Sequence, residues 1–384
     1  MADLTTIIKG MWLKHPVLPG PGPNVAGAAE AIAAVQGGAS ALVMQTVTMH
    51  PGDRADARRA AYGKDGAFHR QPCTAKPFAQ WLTSEFAPAL AYGRAMGVPV
   101  IPSLGYGPDE VRTMAVQVAA AGADALFYDT QYAERSEILP ALRELKAAVP
   151  LPVIVRLSPH HGEDLPDLAV QLEPFADAYC LIGSFGPDLL IDVETGAGAI
   201  GGVGFLSGAP IRPIAQRFVF ETARKVSKPV IAAGGVAAGT DAVEFLMLGA
   251  AAVMVSTHAL AKGPGAYGAI AGELDAWLDA HGHVRIGEIS RAYVRKYGHG
   301  QRVVTEKEES PQLNAAACIK CTFCETVCFY DAIKAPPKAL PTISPDPCFE
   351  CGLCVSACPT GALYFRRRDE VTLLRAGGRG FDPV

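Results

Sequence analysis

No run of about 18 apolar residues, the length a spanning helix needs, occurs anywhere in this chain of 384 residues. Its start, MADLTTIIKG, has no hydrophobic signal core. A membrane span and a secretory leader are therefore not expected, and the chain reads as cytoplasmic. Charge of one sign is also missing: 34 Lys and Arg against 38 Asp and Glu leave a net charge of −4, with 19% of residues charged. That balance argues against a nucleic-acid partner. No G-x-G-x-x-G segment opens a helix after an apolar strand, so a dinucleotide site in this chain is not expected. Cysteine is scarce before residue 318, where only Cys73 and Cys180 occur. Cys180 falls inside an apolar strand and reads as core, and Cys73 reads as structural.

The other eight of the ten cysteines form two matching runs, Cys318, Cys321, Cys324, Cys328 and Cys348, Cys351, Cys354, Cys358, the second followed by Pro359. Zinc takes four ligands, usually as two pairs, and has no use for this longer run occurring twice. A disulfide framework suits neither the bunching nor the absence of a leader. The spacing is that of a bacterial ferredoxin with two 4Fe–4S clusters, in which the fourth Cys of each run serves the other cluster. One cluster is then expected on Cys318, Cys321, Cys324 and Cys358, and the other on Cys348, Cys351, Cys354 and Cys328. Phe329 stands where the pattern usually has Pro.

A ferredoxin uses only the end of the chain. Within residues 1–297, which read as one domain, residues 1 to about 285 repeat one rhythm, a short apolar run, a loop and an amphipathic Ala-rich segment. The apolar runs lie at 17–18, 41–44, 98–101, 125–128, 153–157, 178–182, 230–233 and 252–255, and helical patterns follow at 25–37, 77–96, 109–121, 134–148, 165–175, 212–226, 240–248 and 265–280. Eight such units predict a (β/α)8 TIM barrel, with its chemistry at the C-terminal ends of the strands. Residues 298–312 read as a polar linker, 313–365 as a small α+β ferredoxin domain, and 366–384 as a basic tail. The segment 48–76 reads as a long loop at the barrel mouth, rich in Arg54, Arg58, Arg59, His69 and Arg70; loops of this length usually cover substrate, and the charge suits an anionic one.

One-electron clusters attached to a barrel imply a group there that exchanges electrons singly and in pairs, which flavin does. Gly234 and Gly235 follow strand seven, and Ser256 and Thr257 follow strand eight, where such barrels cradle phosphate. Ser207 and Gly208, ahead of the sixth helix, add to the cradle.

The stretch GGVGFLSGAPIRPIAQR followed by PVIAAGGV resembles the flavin-binding half of the dihydroorotate dehydrogenase and dihydropyrimidine dehydrogenase superfamily. Barrel followed by two-cluster ferredoxin is similar to the order in the bacterial dihydropyrimidine dehydrogenase subunit. The resemblance implies FMN on the barrel and the reduction or formation of a carbon–carbon double bond conjugated to a carbonyl. It also implies that Pro19 and Gly20 lie under the flavin and that Gln45 and Thr46 replace the family's Lys-Thr. Arg156 then replaces the strand-five lysine, keeping a cation for the reduced flavin.

The substrate loops depart from the family. Asp129 stands where Asn is expected and Tyr132 where the proton-donating Cys is expected, and Gly183-Ser184 replaces Asn-Thr. The pyrimidine-binding amides are largely gone, so a conjugated or aromatic, non-pyrimidine substrate is expected. Asp129 is a candidate to orient it or act as base, and Tyr132, or His160 with His161, to supply the proton. Electrons are expected from a separate donor, an NAD(P)H-dependent flavoprotein subunit or a soluble ferredoxin, with the chain as a homodimer or part of a hetero-oligomer. The alternative is a non-catalytic electron-transfer or scaffold subunit of a larger redox complex.

Overall fold

The computed structural model describes residues 2–50, 52, 58–63, 65–70, 74, 76–297 and 310–365. Cys73, Arg54, most of the linker and the basic tail lie outside these. The chain divides into two units, Met1–Gly300 and Gln301–Val384.

Eight parallel strands form the first unit: β1 (Val17–Pro19), β2 (Leu42–Val47), β3 (Val100–Leu104), β4 (Leu126–Asp129), β5 (Val153–Leu157), β6 (Ala178–Ile182), β7 (Val230–Ala233) and β8 (Ala250–Val255). They pair in the cyclic order β1-β8-β7-β6-β5-β4-β3-β2, and the Ser40 N–H donates to the Val17 carbonyl where β1 meets β2. This is the expected TIM barrel. Helices follow the strands, from Ala28–Gln36 to Ala266–Ala280. Gly122, with φ +97°, ends the helix Pro108–Ala121 in the left-handed conformation, and its N–H caps that helix just ahead of β4.

Burial of each strand on both faces explains the continuous apolar runs. Alternation then sorts the residues. Val43, Ile101, Phe127, Ile154 and Cys180 fill the barrel interior, while Leu42, Val100, Leu126, Val153 and Val155 meet the helical layer. Ile8, Met11 and Leu13, from the hairpin Thr6–Ile8/Met11–Leu13, join the interior cluster. Among the described residues no helix is long and apolar enough to cross a membrane.

Within the segment 48–76, read as a loop, the described residues include two strands. Arg58–Tyr62 and Gly66–Arg70 form an antiparallel hairpin, which adds Gly204–Gly208 and Phe185–Asp188 to make a four-stranded sheet. Ser207 and Gly208 end a strand of this sheet, with Ser207 opposite Ala67 and Gly208 opposite Gly66.

The second unit is a repeat at an offset of thirty residues, Cys318 to Cys348 and so on through Cys328 to Cys358. Each half has a short helix, Phe323–Thr326 or Leu353–Ser356. Two-stranded pairs, Gln312–Leu313 with Leu363–Tyr364 and Ile333–Lys334 with Thr342–Ile343, bind the unit together. The segment read as linker is thus shorter at its end, since Gln312 already pairs with Tyr364. Among the described residues Ile333, Cys354 and Leu363 form its buried core cluster.

Candidate active site and iron–sulfur centres

The period of two that puts Val43, Ile101, Phe127 and Ile154 inside the barrel carries on to the next inward positions at its mouth. Ser103, Asp129 and Arg156 therefore follow Ile101, Phe127 and Ile154 as polar residues on an apolar floor. In β2 the register shifts between Val43 and Thr46, which puts Thr46 opposite Ser103 with Gln45 beside it.

These side chains close on one another. Arg156 Nη1 lies 3.0 Å from Asp129 Oδ2, which also accepts from Thr46 Oγ1 at 2.6 Å. The Gln131 N–H donates to Asp129 Oδ1 at 3.0 Å. Arg156 Nη2 donates to Gln131 Oε1 at 3.1 Å, as does Ser158 Oγ at 2.7 Å. Burial disfavours the charge of Arg156, but Asp129 offsets it and holds the guanidinium above its ordinary pKa. Two donor atoms of this cluster, Arg156 Nε and Gln131 Nε2, are buried with no protein partner, as is His69 Nδ1. Buried polar atoms are nearly always paired, so these three mark where a ligand belongs.

All three side chains line a cavity of about 110 Å³ at the barrel mouth, together with Gln45, Thr46, Asp129 and Tyr132. Its lining begins at Pro21, past Pro19 and Gly20 at the end of β1. Ser207, Ser256 and Thr257 border it and also a second, smaller cavity of about 30 Å³, which is lined further by Gly208, Gly234 and Gly235. Gly235 has φ +88°, and a Cβ there would stand 2.6 Å from Arg212 Cβ. A bare backbone is therefore required at that wall.

The structure separates the proton-donor candidates. Tyr132, 43% exposed, borders the cavity, with its ring 5.5 Å from those of both Tyr106 and Phe205. His160 stacks at 4.1 Å on His161 and is absent from the cavity wall. Burial, helped by His161 and Arg156, pushes the His160 pKa down to about 4, so the ring is neutral at pH 7 and carries no readily donated proton. Arg59 and His69, from the hairpin, line the same cavity; burial and then Arg59 and Arg156 lower His69 to about 4. Cys180, pushed up to about 12 by burial, is core as expected. The sequence reading passed over Ser103, Tyr106 and the side chain of Gln131. Alternation past Ile101 would have indicated Ser103; nothing in the pattern marked Tyr106.

In the second unit the eight cysteines surround two hollows. Cys318, Cys321, Cys324 and Cys358 line one, and Cys348, Cys351, Cys354 and Cys328 line the other. Among the described residues no group of three His, Cys, Asp or Glu side chains closes on a single-ion site. Thiolates spread around a hollow suit a cluster that places irons at its own corners.

A glycine-walled cradle joined to a polar barrel-mouth cavity, in a chain that also carries cysteine-lined hollows, defines a flavin-dependent barrel oxidoreductase with an iron–sulfur module. Comparison with known proteins agrees. The family profile "Dihydroorotate dehydrogenase" matches residues 121–278, and "4Fe-4S dicluster domain" matches 317–362. The catalytic subunit of dihydroorotate dehydrogenase B (NAD(+)) from Desulforudis audaxviator is 31% identical over 313 residues, covering 76% of this chain and 97% of that protein. Its namesake in Thermoplasma acidophilum is 25% identical over 292 residues, 73% of this chain and 95% of that one. A putative dihydroorotate dehydrogenase A (fumarate) from Solibacter usitatus is 46% identical over 132 residues, 34% of this chain and 43% of that one. The chain belongs to the dihydroorotate dehydrogenase family. It is a flavin- and iron–sulfur-dependent oxidoreductase acting on CH–CH groups.

Proposed function

We propose that the protein reduces a conjugated or aromatic, non-pyrimidine substrate bearing a negative charge, with electrons entering through two 4Fe–4S clusters from a separate donor protein. One observation carries the substrate part of this reading: the cavity brings Tyr132 to the same wall as Asp129, Arg156 and Gln131, with no Asn side chain in its lining. Among the described lining residues the carboxamides, which donate and accept at once, are those of Gln45 and Gln131, and the Gln131 oxygen already accepts from Arg156 and Ser158.

The residues fit FMN. Ser207, Gly208, Gly234, Gly235, Ser256 and Thr257 would hold its phosphate. Gln45, Thr46 and Arg156 would meet the ring system above Pro19 and Gly20, with the unpaired Arg156 Nε and Gln131 Nε2 as donors. When bound, FMN supplies exchange of electrons in pairs with substrate and singly with the clusters. Asp129 holds Arg156 in place, where its guanidinium would stabilise negative charge on a bound, reduced flavin. Tyr132 delivers a proton from its phenol to the substrate. Among the described residues the charged groups lining the cavity are Arg59, Arg156 and Asp129; their sum is one positive charge, which favours an anionic substrate. The cluster ligands are Cys318, Cys321, Cys324 and Cys358 for one and Cys348, Cys351, Cys354 and Cys328 for the other, each matching one hollow.

Reoxidation of the anaerobically reduced protein tests this reading. A panel of α,β-unsaturated and aromatic carboxylates is mixed with it, alongside uracil and orotate. A carboxylate of the panel should reoxidise the flavin, and uracil and orotate should not; rapid reoxidation by either pyrimidine contradicts the reading. Tyr132→Phe should slow the active reaction by roughly 10²- to 10⁴-fold, the usual contribution of a general acid. Reduction of its flavin by dithionite should stay unchanged. Full activity in this variant would remove Tyr132 from the role.

A further inference from the structure

The two cysteine-lined hollows share a ligand set but differ in charge. Among the described residues each has one charged side chain in its lining, Lys320 in the first and Glu350 in the second. The two stand thirty residues apart, at equivalent places between the first and second cysteines of their runs. Both take the left-handed conformation, with φ +58° and +54°, so the repeat has kept the backbone while inverting the charge. Glu325, Asp331 and Lys334 form an ion-pair set that lines neither hollow; Lys334 is close enough to Cys328 to feel its charge, but its two carboxylate partners leave the set net negative.

Burial differs in the same sense. Cys348 and Cys354 are each 8% exposed, whereas none of the four cysteines of the first hollow is buried. Hydrogen bonds to sulfur follow. Cys358, in the first hollow, accepts from the Ala362 N–H at 3.2 Å and lies 3.8 Å from Thr360 Oγ1. In the second, Cys348 accepts from the Glu350 N–H at 3.4 Å.

Adding an electron adds one negative charge to a cluster. A nearby cation, contact with water and hydrogen bonds to sulfur all favour the reduced form and raise its potential, and an anion in a drier setting lowers it. We propose that Lys320 and Glu350 set the order of the two potentials, with the cluster of the first hollow the higher. This rests on the two-cluster reading above. One electron leaves the second cluster as the first gains it, so an electron shared between them comes to rest at the first. In the reductive direction the second hollow stands upstream.

The test is an anaerobic redox titration of the full-length protein followed by electron paramagnetic resonance, with iron measured on the same samples. Two separate midpoints are expected. Lys320→Glu should lower chiefly the higher one and Glu350→Lys should raise chiefly the lower one, with the double exchange reversing the order. Lys320→Gln and Glu350→Gln should give about half of each shift, and they preserve the test if a charge-reversed variant fails to load iron. Eight irons per chain, as two cubanes require, with both midpoints unmoved in the variants would overturn the ordering alone. So would Lys320→Glu acting on the lower midpoint. About four irons per chain in the parent protein would remove the two-cluster reading and the ordering with it.

Discussion

Replacing Arg156 with Met should yield a protein that loses most of its flavin and is less stable by about 3–5 kcal/mol, the usual cost of stranding one partner of a buried ion pair. Asp129 would remain in the barrel mouth with only the hydrogen bonds from Thr46 and the Gln131 backbone. Gln131 Oε1 would lose one of its two donors, freeing the amide that now points its Nε2 away from both. Flavin-to-protein absorbance and thermal melting read the two effects separately. Arg156→Met combined with Asp129→Asn should recover most of the stability, because no buried charge is left alone, without recovering flavin affinity. If Arg156→Met keeps full flavin content and an unchanged flavin potential, its role as the cation beside the reduced ring is wrong.

The second large effect concerns the crossing of the cysteine runs. Cys321 and Cys358 border one hollow although they belong to different runs, whereas Cys321 and Cys328 belong to one run and border different hollows. A Cys321→Ser/Cys358→Ser double variant should therefore keep about four irons of eight, since only one cubane loses ligands. Cys321→Ser/Cys328→Ser should strip ligands from both and bring iron toward zero. If each run instead held its own cluster, the two results would be exchanged. Iron analysis of the two proteins, purified without oxygen, distinguishes the arrangements.

Much of this architecture was legible in the sequence because barrel strands are short, apolar and buried on both faces. The runs at 153–157 and 178–182 coincide with β5 and β6 for that reason. The cysteine spacing was legible because four thiolates must converge on a fixed volume. The hairpin Arg58–Tyr62/Gly66–Arg70 was not. Its first strand, RRAAY, is mostly exposed and does not alternate apolar with polar residues, so its strand character comes from pairing with Gly66–Arg70, which in turn pairs with Gly204–Gly208 far along the chain.

Part of the site was hidden for the same reason. Arg59 and His69 were visible as charge in a presumed loop, but pairing places His69 opposite Phe205, whose ring packs on Tyr132. The side chain of Gln131 was hidden differently, because its orientation is fixed by Arg156 and Ser158 one strand away. His160 was a reasonable candidate by chemistry and sequence position. The short 3-10 turn Pro159–His161 instead sets its ring against His161, off the cavity wall.

If one chain carries a flavin and two clusters, anaerobic reductive titration with dithionite, followed in the visible spectrum, should show uptake of about four electrons per chain, two by the flavin and one by each cluster. Uptake of about two electrons without bleaching of a flavin band would mean clusters with no flavin, and would rule out a flavin barrel joined to them.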